Sequence, residues 1–440
     1  MRLITIVPTL LVAASAAQAV EFHGVEISGF ASLGYVNSSS NEYLAEGSES
    51  GSWQMNNVGL NFGYQATDRL RFAAQIYASN LGNAGEDAQY EDDFLAPTYS
   101  WKNGGVGLDL LFAQYTVADE FGIRLGRVKQ PFGLYNEVRD IDAVRGSATL
   151  PQAVYDDRSR EYDFAVNGGS IFGSIGAGKA GSFDYQVFGG TIDVSLNGSV
   201  ANQYVTPEFT LEEVTVGSIY GGQLIWNAPI DGLRFGFSMR QTRDRDAKVA
   251  WNSDLVVASG VVPIPYSYSL PDESMEASTD TDNYMLSVEF TYDSFLFQAE
   301  YLRTDMTQSY STSKLTLVAD PAFLDEQSYE LTDDRSISEG WYVMASYRPV
   351  EQIELGGFGS FYTADIANRS TKNWNDYQND FALFARVDTN VEGLMFKVEG
   401  HVVRGTALLD VPDKQAGYLA SEPTADENWH YIVVKAAYSF

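Results

Sequence analysis

The 440-residue sequence predicts an all-β fold, a transmembrane antiparallel β-barrel of about 16 strands with short periplasmic turns and long extracellular loops. Three observations carry this prediction. Apolar and polar residues alternate over stretches of about ten residues, as in a strand with one face in lipid. Short and long connections alternate between these stretches. Beyond the apolar segment at residues 4–14, no run approaches the roughly 20 apolar residues that a membrane-spanning helix needs. Glycine (39 residues) and aromatic residues (13%) are spread along the whole chain, which favours one continuous sheet.

The alternation is clearest between residues 57 and 66. Val58, Leu60, Phe62 and Tyr64 occupy every second position there, with asparagine and glycine between them. The same period returns in the stretches 70–76, 233–240, 284–292, 394–399 and 432–440. A period of two places successive side chains on opposite faces of a strand, so each stretch offers one face to lipid and one to water.

The lengths of the connections predict the topology. Short polar or glycine-containing turns lie at residues 67–69, 118–120, 176–182, 229–232, 293–294, 349–352 and 389–393. Long acidic or polar segments lie at residues 37–52, 80–105, 131–158, 193–215, 246–281, 304–338, 364–379 and 405–427. Seven short turns and eight long loops give sixteen strands, an even number of the kind found in outer-membrane barrels.

Both ends of the chain carry targeting features. Arg2 precedes an apolar run over residues 4–14, and Ala17-Gln18-Ala19 has the small-residue pattern that a signal peptidase recognises. We therefore expect removal of residues 1–19, which leaves a single barrel domain over residues 20–440. The last alternating stretch ends on Phe440. A terminal aromatic residue resembles the signal that the outer-membrane assembly machinery reads, so we expect that machinery as a partner.

The composition argues against several functions. The 59 acidic and 28 basic residues give a net charge of −31, which is unsuited to a nucleic-acid partner. The sequence has no cysteine, and its three histidines, His23, His401 and His430, lie far apart. No metalloprotease or hydrolase motif is present, so the sequence predicts neither a metal site, a cofactor nor an enzyme. We interpret Glu399 and His401, which share a strand face, as residues of a wet lumen.

Residues 125–137, with the sequence LGRVKQPFGLYNE, resemble the Gram-negative trimeric porin superfamily, whose sixteen-stranded members include general and phosphate-selective porins. In that family such a strand leads into the third loop, and residues 139–158 also look like that loop. The resemblance covers about thirty residues. It implies a homotrimer in the outer membrane and a third loop, at about residues 131–158, that folds into the lumen and faces an arginine-rich wall.

The resemblance makes five loop residues candidates for a pore constriction: Glu137, Arg139, Asp140, Asp142 and Arg145. Their mixed charge departs from a purely acidic loop. The alternation along each strand separately predicts charged residues on the pore wall: Arg71, Arg124, Arg234, Arg240, Glu300, Arg386, Lys397 and Glu399, together with Lys435, Glu289 and Glu354. The predicted function is passive diffusion of ions and small hydrophilic solutes through a water-filled barrel with a charged constriction.

Three alternatives stay open at this stage. An oxyanion-biased porin needs a dense ladder of basic residues, which the acidic composition disfavours. An oligosaccharide-biased porin needs a slide of inward aromatic residues, for which Tyr77, Phe188, Phe358, Tyr362 and Phe384 are the candidates. A non-conducting surface adhesin or structural barrel would use the long loops instead. The acidic loops also predict contact with outer-membrane lipid and lipopolysaccharide through bridging Ca²⁺ or Mg²⁺, unless they serve only solubility.

Overall fold

The computed structural model describes residues 19–79, 105–194, 209–251, 256–257, 266–267, 275–310, 314–318, 326–330, 334–370, 373–409 and 425–440. Sixteen long strands follow in order: β1 Val25–Ser38, β2 Ser52–Gln65, β3 Leu70–Ser79, β4 Gly105–Ala118, β5 Phe121–Lys129, β6 Ala165–Gly176, β7 Ser182–Thr191, β8 Phe209–Asn227, β9 Leu233–Trp251, β10 Met275–Tyr292, β11 Phe295–Tyr310, β12 Asp334–Val350, β13 Ile353–Thr363, β14 Tyr377–Asp388, β15 Leu394–Gly405 and β16 Asn428–Ser439. Residues 1–18 of the predicted signal peptide lie outside the described residues.

The strands form one closed antiparallel sheet. Each strand pairs with the next, and β1 pairs with β16 from Phe30 opposite Ser439 to Ser38 opposite Tyr431. A short additional strand, Val20–Phe22, turns back onto the start of β1. Closure leaves no sheet edge with unpaired backbone groups, which is what a sheet in hydrocarbon requires. The predicted antiparallel barrel of sixteen strands is confirmed.

Smaller elements lie in the connections. Two short hairpins pair Val256–Val257 with Tyr266–Ser267 and Lys314–Val318 with Glu326–Glu330. Single turns of 3₁₀ helix cover Asn136–Val138, Asp142–Val144, Asp157–Ser159, Gly178–Ala180 and Ile366–Asn368, and one α-helical turn covers Arg160–Asp163. No helix in the described ranges is long and apolar enough to cross a membrane.

Short and long connections alternate as predicted, but five strand ends reach further into the long segments than the sequence indicates. β8 begins at Phe209, β9 continues to Trp251, β10 begins at Met275, β11 continues to Tyr310 and β12 begins at Asp334. These extensions are rich in charged residues, and pairs such as Arg243 with Asp282 cross between strands at 2.6 Å. Backbone pairing continues above the apolar band without apolar alternation, so the sequence pattern ends before the strand does.

The two faces of the wall differ in chemistry. On β15, Phe396, Val398 and Val402 are exposed on the outside, whereas Lys397 and Glu399 point inward and are 2% and 0% exposed. Other outward residues are equally apolar, with Leu383 77% exposed. A band of exposed apolar residues around a polar interior is the pattern of a barrel wall in lipid.

Candidate functional site

The third loop, residues 130–164 between β5 and β6, lies inside the ring of strands. It extends six residues beyond the predicted end at residue 158, because Arg160–Asp163 forms a helical turn before β6 begins. Its path bends sharply at Gly133, which has a φ of +65°. A Cβ atom there would lie 2.4 Å from both the Met285 sulfur and the Tyr155 hydroxyl oxygen, so only glycine fits.

An apolar face of the loop packs against the inner wall. Phe132, Tyr135, Leu150 and Tyr155 form one buried cluster with wall residues of β10 and β12–β14. The wall partners include Met285, Tyr342, Met344, Phe358 and Phe384. This packing fills that part of the lumen. Of the aromatic residues considered for a sugar slide, Tyr77, Phe358 and Phe384 are covered in this cluster, and Phe188 is buried in a separate one.

Glu300 on β11 receives the first part of the loop. Its carboxylate accepts hydrogen bonds from the Leu134 backbone N–H at 2.8 Å and from the Tyr155 hydroxyl at 2.5 Å. The hydroxyls of Ser287 and Tyr342 donate to it at 2.5 Å and 2.9 Å. Four donors therefore converge on one carboxylate that is 2% exposed, and two of them belong to the loop.

Asp142 anchors the middle of the loop to β15 and β16. Its carboxylate lies 2.9 Å from the Arg145 guanidinium, 3.3 Å from Lys397 Nζ and 3.2 Å from Lys435 Nζ. Burial alone would raise the pKa of Asp142, but the charges of Lys435, Arg145 and Lys397 outweigh it and hold the pKa well below its usual range. From β14, Arg386 donates to the carbonyl oxygens of residues 143 and 145 at 2.7 Å and 3.1 Å.

Glu399 on β15 holds the return segment. It accepts hydrogen bonds from the Ala148 N–H at 2.7 Å and from both the N–H and the hydroxyl of Thr149. His401 bridges Glu399 and Asp380, with ring nitrogens 2.9 Å from each carboxylate, and Tyr431 stacks on its ring. The side chain of His401 is 0% exposed, so this group is enclosed by protein.

Two further loops cover the same part of the lumen. Tyr43 and Leu44, from the loop after β1, pack with Leu408 and Leu409, from the loop after β15. Trp429, Tyr431 and Val433 of β16 complete this cluster. The Arg158 guanidinium donates to the Leu409 carbonyl oxygen at 3.0 Å, which ties the third loop to this layer.

Arginines pair with three further acidic residues in and beside the loop. Arg160 contacts Asp140 at 2.6 Å and Asp109 at 2.7 Å, and Arg139 contacts Asp157 at 2.8 Å. Burial alone would raise the pKa of Asp140, and the adjacent Arg160 overcomes it, so that the pKa is lowered. The loop therefore neutralises most of its own charge.

Open space remains on the other side of the loop. A cavity of about 140 Å³ lies between the first part of the loop and the wall from β3 to β9. Its charged and amide lining comprises Arg71, Gln114, Arg124, Lys129, Glu137, Asp184, Gln186, Gln223 and Arg234. Its apolar lining includes Ala73, Phe112, Leu134, Phe172 and Ile225. The site thus consists of a lumen filled on one side and a predominantly cationic cavity on the other.

Several solved structures share this architecture. The anion-selective porin from Comamonas acidovorans superposes with a TM-score of 0.51 and 12% identity over 94% of this chain and 99% of that chain. OmpF of Salmonella typhi gives a TM-score of 0.52 and 12% identity over 96% and 100%. The channel DcaP of Acinetobacter baumannii gives 0.51 and 11% over 96% and 100%. The chain has the porin fold. No protein-family model and no curated protein matches the sequence.

The predicted wall residues fall into two groups, those that line the cavity and those that the third loop buries. Arg71, Arg124 and Arg234 line the cavity. The others, Arg240, Glu300, Arg386, Lys397 and Glu399, also point inward but are at most 7% exposed, because the third loop covers them. Of the loop candidates, Glu137 lines the cavity, whereas Arg139, Asp140, Asp142 and Arg145 are buried in ion pairs or hydrogen bonds. Inward orientation therefore does not mean exposure to the passage.

Three charged residues of this porin fold were not among the predicted site residues. Lys129 sits at the end of β5, and its Nζ donates to the Glu137 carbonyl oxygen at 2.5 Å. Arg160 lies just beyond the predicted end of the loop. Asp109 lies in β4 where the register with β3 shifts between Gln75 and Ile76, so strict alternation misplaces it. Lys129 was detectable in the sequence, as the lysine of the LGRVK segment.

Proposed function

We propose that the protein is an outer-membrane porin through which ions and small hydrophilic solutes diffuse passively. The observation that supports this most strongly is the charged cavity between the third loop and the β3–β9 wall of a closed sixteen-stranded barrel. Solutes pass along that wall, because the loop packs against the wall on the opposite side. Charged side chains in a narrow aqueous gap select solutes by charge and size, without a carrier cycle.

The same proposal covers assembly. We propose a homotrimer in the outer membrane, with lipid around the apolar band and lipopolysaccharide beside the acidic loops. We also propose that the mature chain begins after residue 19 and that the assembly machinery reads Phe440. In the barrel, Phe440 exchanges two backbone hydrogen bonds of 2.9 Å with Gly29 across the seam between the first and last strands. That position suits a residue whose docking closes the sheet.

A planar lipid bilayer provides the test. Purified, heat-modifiable protein is expected to insert with stepwise conductance increases, because ions would cross the barrel through the charged cavity beside the third loop. Steps in groups of three would support the trimer. Folded protein that gives no conductance steps would refute the porin function and favour a non-conducting adhesin or structural barrel.

A further inference from the structure

His401 on β15 lies between two buried carboxylates. Its Nδ1 is 2.9 Å from Asp380 Oδ1 on β14, and its Nε2 is 2.9 Å from Glu399 Oε1 on its own strand. The side chains of His401 and Glu399 are 0% exposed, and that of Asp380 is 7% exposed. A neutral imidazole has one N–H and can donate to one carboxylate only, whereas the protonated ring donates to both. Because imidazole is more basic than a carboxylate, the ring carries the shared proton.

Aromatic residues from three further elements enclose the imidazole of His401. The Tyr431 ring of β16 stacks on it with ring centres 3.8 Å apart, and the Tyr431 hydroxyl donates to Asp380 at 3.2 Å. Phe358 of β13 packs edge-on against it and carries no charge. Tyr43, from the loop after β1, packs against Tyr431. Burial and the charge of Asp380 hold the pKa of Tyr43 well above its ordinary value, so Tyr43 stays neutral while His401 titrates.

Glu399 connects His401 to the return segment of the third loop. Its Oε2 accepts a hydrogen bond from the Ala148 N–H at 2.7 Å, and its Oε1 accepts from the Thr149 N–H at 3.1 Å and from the Thr149 hydroxyl. These loop residues donate hydrogen bonds but bring no charge, whereas the ring of His401 brings a positive charge to the carboxylate. A buried carboxylate that loses its cation is strongly destabilised. The hold on residues 148–149 therefore depends on the proton of His401.

A second group of titratable residues holds the loop nearby. Lys397 and Lys435 approach the Asp142 carboxylate at 3.3 Å and 3.2 Å. Loss of a proton from either lysine would also weaken the contact between loop and wall as the pH rises. An alkaline response of the channel therefore has two possible sources, and substitutions at His401 and at its partner Asp380 separate them.

We propose that His401, as an imidazolium, is a positioning residue for the third loop, and that loss of its proton at alkaline pH frees residues 148–149 and admits ions to the filled side of the lumen. The proton passes to water, the ring keeps one N–H, and one of the two carboxylates loses its donor. Repulsion between Asp380 and Glu399 then favours hydration of the site and separation of the loop from the wall. The anchor is complete while the ring is protonated and is lost as the pH rises through its titration. The inference rests on the proposed porin function, since conductance is its main readout.

The test records single-channel conductance in symmetrical KCl from about pH 6 to about pH 10, the range between the pKa values of free histidine and free lysine. The wild-type conductance is expected to be constant near neutral pH and to rise in alkali. His401→Gln should show the raised conductance already at neutral pH and no further rise. His401→Lys keeps a cation that holds its proton to about pH 10 in water, so it should restore the neutral-pH conductance and delay the rise.

Asp380→Asn separates titration from a merely structural role of His401. One of the two negative charges that favour the protonated ring is removed, while the shape of the side chain is kept. The midpoint of the conductance rise should therefore move about 1–3 pH units lower, the usual effect of one charge at this distance. A residue that only fills space would give no such shift.

A matched control makes the same change on the outward face. His430 on β16 is exposed, so His430→Gln should leave the pH profile unchanged. A wild-type conductance that does not change with pH, or a rise that survives in His401→Gln, would overturn the proposal, and a surviving rise would point to the lysines at Asp142. If His401→Gln does not give heat-modifiable barrel, the shift in Asp380→Asn decides. Absence of wild-type conductance at every pH would instead refute the porin function, and faster protease cleavage between residues 131 and 158 in alkali would still test the loop anchor.

Discussion

Replacing Asp142 with asparagine is expected to detach the middle of the third loop from β15 and β16. Lys397, Lys435 and Arg145 all approach the Asp142 carboxylate, and all are at most 6% exposed. Removal of the shared anion leaves three neighbouring buried cations that repel one another. Breaking a buried ion pair in this way costs about 3–5 kcal/mol. We expect a lower unfolding temperature and, because the loop moves, a larger single-channel conductance.

Asp305→Asn is the matched control for this variant. Asp305 pairs with Arg335 at 2.5 Å, but the arginine side chain is 64% exposed, so the loss should be below about 1 kcal/mol. Thermal unfolding in detergent and bilayer conductance are measured for both variants. Equal effects of the two substitutions, or an unchanged conductance in Asp142→Asn, would contradict the anchoring role of Asp142.

The pH dependence of the wild-type protein follows from the same carboxylate. The pKa of Asp142 in the folded protein lies below that of an unfolded aspartate, which is about 3.9. Its contribution to stability is therefore fully present above about pH 4 and is lost as the pH falls through the folded-state pKa. The contribution of Asp142 to loop anchoring should therefore stay constant from pH 7 to pH 5. In the wild-type protein, stronger acid protonates Asp142 and weakens the loop anchor. In Asp142→Asn this anchor is already absent, so the same acid should cause no further loss of it.

Replacing Glu300 with glutamine should release the first part of the loop. The carboxylate accepts four hydrogen bonds, from Leu134, Tyr155, Ser287 and Tyr342, and is 2% exposed. Glutamine has the same shape but presents an NH₂ group where an acceptor oxygen is needed, so buried donors lose their partner. The expected loss of stability is about 2–4 kcal/mol, since each unsatisfied buried donor costs about 1–3 kcal/mol.

The control for Glu300→Gln makes the same chemical change at an exposed position. Glu26 is 61% exposed and lies 3.9 Å from Arg71, so Glu26→Gln should shift the unfolding temperature little. Limited proteolysis reports on the loop itself: faster cleavage between residues 131 and 158 is expected only in Glu300→Gln. A Glu300→Gln barrel as stable and as protease-resistant as the wild type would show that this carboxylate does not anchor the loop.

Much of the fold was predictable because a barrel wall in lipid imposes a period of two on the sequence. Seven short turns are readable from their polar or glycine residues, and the strand count followed from them. The charged ends of β8–β12 that reach into the long loop segments were missed, because a strand surrounded by water needs no apolar face. Asp109 was missed because one extra residue in β4 reverses the alternation locally.

The functional site was only partly predictable for a different physical reason. Alternation along a strand separates inward from outward residues, and the structure places Arg124 and Lys397 inward, as expected. The alternation does not indicate that a loop more than 200 residues away in sequence covers Lys397. The Nζ of Lys397 donates to the carbonyl oxygens of Asp142 and Ser147. Contacts of that kind depend on the three-dimensional path of the loop. The same limit hid the difference between Arg234, which pairs with Glu289, and Arg124, which donates to Gln114 and Gln186.

Cysteine accessibility tests the division of the lumen most directly. The chain has no cysteine, so a single introduced thiol can be modified selectively. Ile225 lines the cavity, whereas Met344 is 4% exposed in the cluster beneath the third loop. A charged, membrane-impermeant thiol reagent added to conducting channels should react with Ile225→Cys and reduce its current, and should leave Met344→Cys unmodified. Rapid modification of Met344→Cys, with Ile225→Cys unreactive, would show that solutes take the other side of the barrel.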